Sequence, residues 1–210
     1  MEHSKLKNIN HLAIYLNIDK DVLEKIHQNG YESIEKADFR RIYGEKKDLT
    51  LALKKYKIQK KQGGYRIVYS PISDTLINCL KILNKKISAL YNPPDCVHGF
   101  IKGRSIKSNA FVHLSKKYIY KVDIERYFEN ITSEKIVTIL IELGFTSEIS
   151  EIISKIVTHD NSLIQGFHTS PTIANLIFKD LDIIFSGVEN SIEYSRYADD
   201  LTFSTNRKNF

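Results

Sequence analysis

Two acidic positions interrupt apolar, strand-like stretches of this 210-residue chain. Asp123 follows Tyr120-Lys121-Val122, and the adjacent pair Asp199-Asp200 follows Tyr197-Ala198. A carboxylate in a strand that packs in a sheet core is costly to desolvate unless a cation or proton compensates for its charge. Three carboxylates converging from neighbouring strands form the oxygen-rich site that Mg²⁺ requires. Two such ions about 3.5–4 Å apart can stabilise the attacking and leaving oxygens of an in-line phosphoryl displacement.

The aspartate pair has a simpler alternative, because two aspartates at a turn are more often a solvated hairpin turn than a metal site. Asp199-Asp200 taken alone favours that alternative. The presence of Asp123 in the same kind of strand context reverses the preference. The sequence therefore predicts a metal site built from Asp123, Asp199 and Asp200.

The strands that must position these carboxylates come from distant parts of the sequence. Tyr118 to Ile124 is rich in β-branched and aromatic residues, which favour a strand. Ile192 to Tyr197 and Leu201 to Thr205 predict a hairpin whose tip is Ala198-Asp199-Asp200. Strands from separate regions must pair to bring the carboxylates together, so the fold class is predicted to be α+β.

Helical periodicity accounts for much of the remaining sequence. The first 50 residues are predicted to be helical, with a break at Asn29-Gly30. Further helices are expected over 75–91, about 105–116, 133–143, 147–157 and 170–187. The last of these begins at Ser170-Pro171, and its expected apolar face consists of Ile173, Leu176, Ile177, Leu181 and Ile184. A second hairpin is predicted where Lys57 to Lys61 and Tyr65 to Tyr69 flank Gln62-Gly63-Gly64.

Several of these segments resemble the motifs of reverse transcriptases. Tyr197-Ala198-Asp199-Asp200 is similar to the signature of that family. Tyr120-Lys121-Val122-Asp123 followed by Tyr127-Phe128 resembles its first catalytic motif. Ser162 to Pro171 is similar to its glutamine-glycine motif, although Ile164 stands where a proline is more usual. The motifs also occur in the family's order.

Within that family the chain resembles the bacterial retron-type enzymes most, from about Tyr56 to Ser204. The hairpin Lys61 to Ile67 followed by Pro71 is similar to their fingers. Asn109-Ala110-Phe111-Val112-His113 resembles their Asn-Ala-x-x-His motif, and Arg196 to Ser204 is also similar to retron sequences. Group II intron and other defence-associated reverse transcriptases share several of these features, so they stay open as alternatives.

The resemblance implies a role for each matching acidic residue. Asp123 and Asp199 would hold two Mg²⁺ ions, and Asp200 would add charge and a weaker ligand. Phe128 falls at the family's steric-gate position, where an aromatic ring would clash with a ribose 2′-hydroxyl and favour deoxynucleotides. The alternative for Phe128 is an ordinary core phenylalanine.

The resemblance also implies a set of nucleotide contacts. Arg66 lies where the family contacts the incoming triphosphate, and a guanidinium suits phosphate because it can bind two oxygens at once. Its alternative is a solvated strand arginine; Lys60 or Lys61 could assist. Gln165 and Gly166 would line the nucleotide pocket, with glycine allowing close approach of the backbone. A capping or loop role is the alternative for Gln165.

Other residues indicate contact with nucleic acid. Asn109 and His113 lie four apart on one helical face, and the family pattern implies a subfamily role such as RNA binding, whereas a lone helical histidine is more often structural. Cations alternate with rings in a cluster that suits phosphate contacts and base stacking. It consists of Lys54, Lys55, Lys57, Lys60, Lys61 and Arg66 with Tyr56, Tyr65 and Tyr69.

Composition excludes several classes of protein. Apolar residues make up 42% and charged residues 27%, which is typical of a folded chain, and the net charge of +6 suggests a polyanionic partner. Two cysteines, Cys79 and Cys96, are too few for a disulfide scaffold or a cysteine-rich zinc module. No stretch approaches the roughly 18 apolar residues of a membrane helix, and Met1 to Lys7 does not begin a secretory signal. These features predict a cytoplasmic protein without a membrane partner.

Together, the motifs predict the fingers and palm of a right-hand polymerase, with an antiparallel palm sheet flanked by helices. The expected division is an N-terminal helical extension over 1–50, fingers over 51–117 and palm over 118–210, with a helical insertion at about 133–187 and no thumb. The expected partners are a structured non-coding RNA, dNTPs, the DNA product and an effector protein, in antiphage defence. The competing hypothesis is a non-catalytic RNA-binding protein on the same scaffold.

Overall fold

The structure, a computed structural model, describes residues 2–35, 49–60, 63–189 and 191–208. After a 3₁₀ turn at His3–Lys5, the helices are α1 (Ile9–Leu16), α2 (Lys20–Asn29), α3 (Asp74–Ser88), α4 (Ile106–Val112), α5 (Ser133–Glu142), α6 (Ser147–Val157) and α7 (Ser170–Ser186). The strands are β1 (Glu32–Glu35), β2 (Ala52–Gln59), β3 (Tyr65–Pro71), β4 (Tyr118–Asp123), β5 (Thr158–His159), β6 (Ser162–Leu163), β7 (Glu193–Tyr197) and β8 (Asp200–Thr205). These elements confirm the α+β class.

Two compact units make up the chain. The first unit contains residues 1–90 and 128–170, and the second contains residues 91–127 and 171–210. The division at residues 50 and 117 stays a prediction. None of the helices in the described ranges combines the length and apolar character that a membrane-crossing helix needs.

The N-terminal segment begins with two capped helices. The side chains of Asn8 and Asp19 accept hydrogen bonds from backbone N–H groups in the first turns of α1 and α2. Helix α2 ends at Gly30, whose φ of 66° is accessible to glycine at little cost. The helical prediction is confirmed for α1 and α2 but wrong for Glu32–Glu35, which pair with β2 instead. The rest of that prediction, residues 36–48, lies outside the described residues.

The predicted hairpin around Gly63-Gly64 is confirmed, and its strands are longer than predicted. β2 and β3 pair antiparallel from Leu53 opposite Pro71 to Gln59 opposite Tyr65. Gly63 and Gly64 have φ values of 90° and 77°, which only glycine adopts readily. β1 joins β2 in parallel, so the sheet order is β1-β2-β3. Lys61 and Gln62 lie outside the described residues.

The core of the first unit comes from the apolar faces of its helices. The buried apolar residues of α3, α5 and α6 are Leu76, Cys79, Leu80, Leu83, Ile87, Ile136, Leu140, Ile149, Ile152, Ile153, Ile156 and Val157. Burying each large aliphatic side chain contributes roughly 1.5–3 kcal/mol. The apolar face of each helix therefore packs inward, as the helical periodicity of the sequence predicts. The two-residue strands β5 and β6 were not predicted. They pair across a turn at Asp160-Asn161, where both residues have positive φ.

The second unit is built on a three-stranded antiparallel sheet in the order β4-β8-β7. This pairing confirms the predicted strand and the predicted hairpin, except that Asp200, predicted in the tip, is the first residue of β8. Helix α7 packs on the sheet through Phe185, whose ring meets those of Tyr194 and Phe203 edge-on at centroid distances of 5.4 and 5.6 Å. The sheet and helix therefore form a second, smaller core.

The predicted apolar face of α7 is wrong in its C-terminal half. Ile173 and Leu176 are buried as expected, but Leu181 is 42% exposed and Ile184 is 59% exposed. Asp182 is fully buried in their place. The inward face therefore follows the spacing of Asn175, Phe178, Asp182 and Phe185, because the helix turns a carboxylate toward a buried arginine in β7.

Strand β4 is exposed along its whole length, which corrects the prediction that Asp123 lies in a strand packed in a sheet core. Ile119 and Tyr120 remain 55% and 58% exposed. β4 is the edge strand of its sheet, so only β8 pairs with it among the described strands. The desolvation argument for Asp123 therefore fails, and the case for the site depends on how the aspartates are grouped.

Candidate active site

The three predicted aspartates lie at one end of the sheet of the second unit. β4 ends at Asp123 and β8 begins at Asp200, and the antiparallel register pairs these two residues directly. Asp199 occupies the preceding turn, and its carbonyl oxygen accepts a hydrogen bond of 3.0 Å from the backbone N–H of Ile124. Strand pairing therefore groups Asp123, Asp199 and Asp200 from two distant parts of the chain.

The aspartates act on one another electrostatically. Partial burial raises the pKa of Asp200, and the charges of Asp199 and Asp123 raise it further, against an opposing effect of Lys121. A bound cation would relieve this repulsion, so the donor chemistry fits a divalent metal ion. Across the residues that the structure describes, no three or more His, Cys, Asp or Glu side chains are gathered closely enough to hold a metal. The carboxylates fit such an ion in charge and donor type but are not preassembled around one.

The turn that carries Asp199 has an unusual backbone conformation. Ala198 has a φ of 58°, a left-handed conformation that costs roughly 1–2 kcal/mol for a residue other than glycine. Its carbonyl oxygen accepts a hydrogen bond of 2.9 Å from Nη1 of Arg196. The turn is thus held by a side chain from the strand that precedes it.

Arg196 is fully buried and forms an ion pair with Asp182, which is also fully buried. Its Nε donates to Oδ1 of Asp182 at 2.8 Å, and Nη2 donates to Oδ2 at 2.7 Å. Nη1 donates to Oη of Tyr127 at 3.1 Å and to Oδ1 of Asn175 at 3.0 Å. Tyr194 also donates its hydroxyl to Oδ1 of Asp182 at 2.7 Å. Such a buried ion pair is tolerated because its donors and acceptors are satisfied.

The segment before Gly99 supports the same turn from outside the sheet. Arg196 donates its backbone N–H to Cys96 O at 2.8 Å, and His98 donates its own to Arg196 O at 2.8 Å. A Cβ at Gly99 would overlap the backbone nitrogen of Ala198. Glycine is required here because the two backbones touch.

His113 is the last residue of the predicted Asn-Ala-x-x-His motif. It connects the two strands of the hairpin that carries Asp199. Helix α4 ends at Val112, earlier than predicted, and His113 follows it as a buried residue. Its Nδ1 lies 2.6 Å from Oγ of Ser204 in β8, and its Nε2 lies 2.7 Å from Oγ of Ser195 in β7. Both ring nitrogens are therefore engaged inside the fold, which gives His113 a structural role and leaves it unavailable to RNA.

Replacing His113 by Ala is expected to lower the free energy of unfolding by about 3 kcal/mol, because a cavity forms and two buried serine hydroxyls lose a partner. Burial is the main cause that lowers the pKa of His113, with His98, Lys116 and Lys121 acting in the same direction and Glu193 opposing them. The unfolded chain therefore takes up the proton first, and wild-type stability should fall as the pH drops below about 6.5.

Urea unfolding at pH 7 and pH 5 tests this expectation. The His113→Ala variant should lose less stability between the two pH values than the wild type does. The matched control is His168→Ala, since His168 is exposed. An unchanged pH dependence in His113→Ala would contradict the assignment.

Sequence reasoning missed the roles of Arg196 and Asp182. The available signal was the one that had identified Asp123, namely a charged residue inside an otherwise apolar element. Arg196 lies in a mostly buried strand, and Asp182 lies among Leu181, Ile183 and Ile184. Sequence alone did not indicate that these two charges neutralise each other.

The predicted nucleotide-contacting residues lie in the first unit. Arg66 is exposed on β3, in register with Ile58 of β2. The Gln165 carbonyl oxygen accepts a hydrogen bond of 2.8 Å from the backbone N–H of Tyr69, so the glutamine-glycine segment pairs with β3. Phe128 is half-buried and lies in the turn before α5. The structure thus connects Gln165 with the strand that carries Arg66.

Glycine is required at position 166 because its backbone lies against β3. Its φ is 112°, and a Cβ there would overlap the Tyr69 carbonyl oxygen and lie 2.8 Å from Cγ1 of Val68. The group that approaches Gly166 closely is therefore β3, and the predicted approach to a nucleotide stays a prediction.

Lysines of β2 pair with tyrosine rings on both faces of the hairpin formed by β2 and β3. The Lys54 ammonium lies 5.6 Å from the centroid of the Tyr56 ring, and that of Lys57 lies 5.5 Å from the Tyr65 ring. Tyr65 itself is 60% exposed. The register places the first pair on one face of the hairpin and the second pair on the other, so the predicted cluster does not form a single surface. Each pair by itself combines the charge and the ring that suit contact with a nucleic-acid strand.

Comparison with known proteins identifies relatives for most of the chain. Residues 58–209 match the family model described as reverse transcriptase (RNA-dependent DNA polymerase). The chain is 34% identical over 153 residues to retron Ec86 reverse transcriptase of Escherichia coli, which covers 71% of this chain and 48% of that protein. It is 35% identical over 171 residues to retron Ec73 reverse transcriptase of Escherichia coli, with coverages of 74% and 54%. The chain thus spans about half the length of these relatives.

A solved structure agrees at the level of fold. Telomerase from Candida albicans, determined in complex with a TWJ fragment of telomeric RNA, superposes with a TM-score of 0.53 over 88% of this chain and 39% of that chain. The two are only 11% identical, so this likeness concerns the fold alone. The family match, in contrast, spans Asp123, Asp199 and Asp200. It also spans the buried pair Asp182 and Arg196. The chain belongs to the reverse transcriptase family.

Proposed function

We propose that this chain carries the nucleotidyl-transfer site of an RNA-directed DNA polymerase of retron type. The observation that carries the proposal is the pairing of Asp123 with Asp200 beside Asp199, at the end of an antiparallel sheet. The retron relatives support the subfamily and, with it, a structured non-coding RNA as template and primer. A role in antiphage defence with an effector protein follows only from the same resemblance.

The proposed reaction forms one phosphodiester bond for each dNTP. A primer 3′-hydroxyl, or an RNA 2′-hydroxyl at priming, attacks the α-phosphate, and pyrophosphate leaves. Asp123 and Asp199 are the proposed ligands of two Mg²⁺ ions, and Asp200 contributes charge. Bound there, the ions would supply Lewis-acid activation of the hydroxyl and neutralise charge on the leaving group.

The first unit would supply the nucleotide contacts. Arg66 is exposed on its strand and available to phosphate oxygens, which suit its planar guanidinium. Gln165 and Gly166 form the segment hydrogen-bonded to the same strand, so we assign them to the nucleotide pocket. We assign β2, β3 and their neighbours to the fingers, and β4, β7 and β8 to the palm.

Phe128 is proposed to exclude ribonucleotides. The Phe128→Val variant is expected to incorporate rNTPs, with the ratio of kcat/KM for dNTP over rNTP reduced at least about 10-fold, because the smaller side chain leaves room for the 2′-hydroxyl. The measurement is single-nucleotide extension with matched dNTP and rNTP. Phe145→Val, in the same unit and buried, serves as the control for a general packing defect. Unchanged discrimination in Phe128→Val would assign the ring to the core.

The second candidate function is RNA binding without catalysis. The pairs of a lysine with a tyrosine ring on β2 and β3 favour it, because they need no metal to bind a strand. Primer extension by the 210-residue chain on an RNA template, with dNTPs and Mg²⁺, separates the two. Incorporation that stops when EDTA is added supports the polymerase, whereas RNA binding without extension supports the binding protein.

A further inference from the structure

The buried ion pair of Arg196 and Asp182 lies directly behind the turn that carries Asp199. We propose that this pair is a positioning device for the catalytic aspartates and acts through the carbonyl group of Ala198. The inference rests on the proposed function, since it concerns the placement of Asp199. Arg196 and Asp182 are positioning residues and take no part in the chemistry themselves.

The geometry assigns to Arg196 a role that depends on the shape of its guanidinium. Asp182 receives the Nε and Nη2 donors as a two-point contact, so the charge of Arg196 is neutralised within the pair. Nη1 is directed the other way, to the Ala198 carbonyl oxygen, with Tyr127 and Asn175 as further acceptors. The centroid of the Phe178 ring lies 4.8 Å from Cζ of Arg196. A planar guanidinium can bind the Asp182 carboxylate and the Ala198 carbonyl oxygen at the same time, whereas the ammonium group of a lysine cannot.

The stability of the fold does not by itself explain why an ion pair is buried here. Two buried charges lose their hydration, and well-packed apolar residues of similar volume are often equally stable in their place. The pair does hold a left-handed residue, Ala198 with φ of 58°, immediately before Asp199. Asp199 also accepts the hydrogen bond from the backbone of Ile124, next to Asp123. Arg196 therefore controls how the two strand ends meet.

Asn175 connects Arg196 with Gly99, which lies against the turn. Its Oδ1 accepts from Arg196, and its Nδ2 donates to the Gly99 carbonyl oxygen at 3.0 Å. Gly99 in turn lies against the backbone of Ala198. The turn is thus confined between the arginine and the glycine, and Asn175 connects the two.

The test compares Arg196→Lys with Leu176→Ala. Lysine keeps the charge pair with Asp182 but cannot also reach the Ala198 carbonyl, so kcat for primer extension should fall about 100-fold through misplacement of Asp199. KM for dNTP should stay within about threefold, because the nucleotide contacts are untouched. Leu176 is buried on α7, and its truncation destabilises the unit while leaving the ion pair intact. Its kcat per folded molecule should match the wild type.

A second readout does not depend on activity. Hydrogen exchange of the Ile124 amide, which donates to Asp199, should accelerate at least about 10-fold in Arg196→Lys relative to Leu176→Ala of similar stability. If Arg196→Lys does not fold, Asn175→Ala keeps the pair and should show the same pattern more weakly. Equal exchange in Arg196→Lys and Leu176→Ala would overturn the inference. Absence of extension by the wild type, with the exchange difference present, would instead refute the proposed function alone.

Discussion

Replacing Asp199 and Asp200 together by Asn is expected to reduce template-dependent dNTP incorporation by at least about 1000-fold. The amide groups keep the size of the carboxylates but remove the charge that would hold the metal ions. The measurement is primer extension with Mg²⁺ under single-turnover conditions. The control is Asp180→Asn, which makes the same chemical change at an exposed position of α7.

The same double variant should not be less stable than the wild type. The raised pKa of Asp200 means that the folded chain holds this proton more tightly than the unfolded chain does. Ionisation of Asp200 therefore disfavours folding at neutral pH, and the variant should gain a small amount of stability there, because solvent screens the charges at this exposed position. The gain should shrink as the pH falls through the folded-state pKa of Asp200 and vanish below its unfolded pKa of about 3.9, where the carboxyl is protonated in both states. Loss of activity together with a lower midpoint of thermal unfolding would indicate misfolding instead of a missing metal site.

Replacing Gly166 by Ala is the substitution expected to damage the first unit most. The new Cβ would overlap the Tyr69 carbonyl oxygen, and a φ of 112° is strained for alanine. We expect the free energy of unfolding to fall by roughly 2–4 kcal/mol and primer extension to be lost, since β3 must move away.

Gly187→Ala is the matched control for this experiment. A Cβ at Gly187 would meet its nearest atoms, the carbonyl oxygens of Ile183 and Ile184, at 3.6 and 3.7 Å, which is ordinary contact. Its stability should therefore change by less than about 1 kcal/mol. Both variants are compared by urea unfolding. Equal stability of the two would show that β3 can shift without cost.

Local patterns in the sequence were sufficient for most of the secondary structure. Helices α3, α5, α6 and α7 and both hairpins were predicted from periodicity and turn residues, since these depend on neighbours a few positions away. The strand β1 was missed because it forms only by pairing with β2, after a segment that reads as helical. The observed register pairs Asp123 with Asp200, next to Asp199, whereas the metal site predicted from these three residues stays a prediction.

The sequence by itself determined which residues have the right chemistry: three aspartates at the ends of strands, and motifs in the order of one family. Only the tertiary structure decided that β4 is exposed, that α7 buries Asp182 in place of Leu181, and that His113 bridges Ser195 and Ser204. The physical reason is that burial and hydrogen bonding of a side chain depend on partners far away in the chain. The partner of Tyr69 is Gln165 and that of Arg196 is Asp182, and no local periodicity encodes either contact.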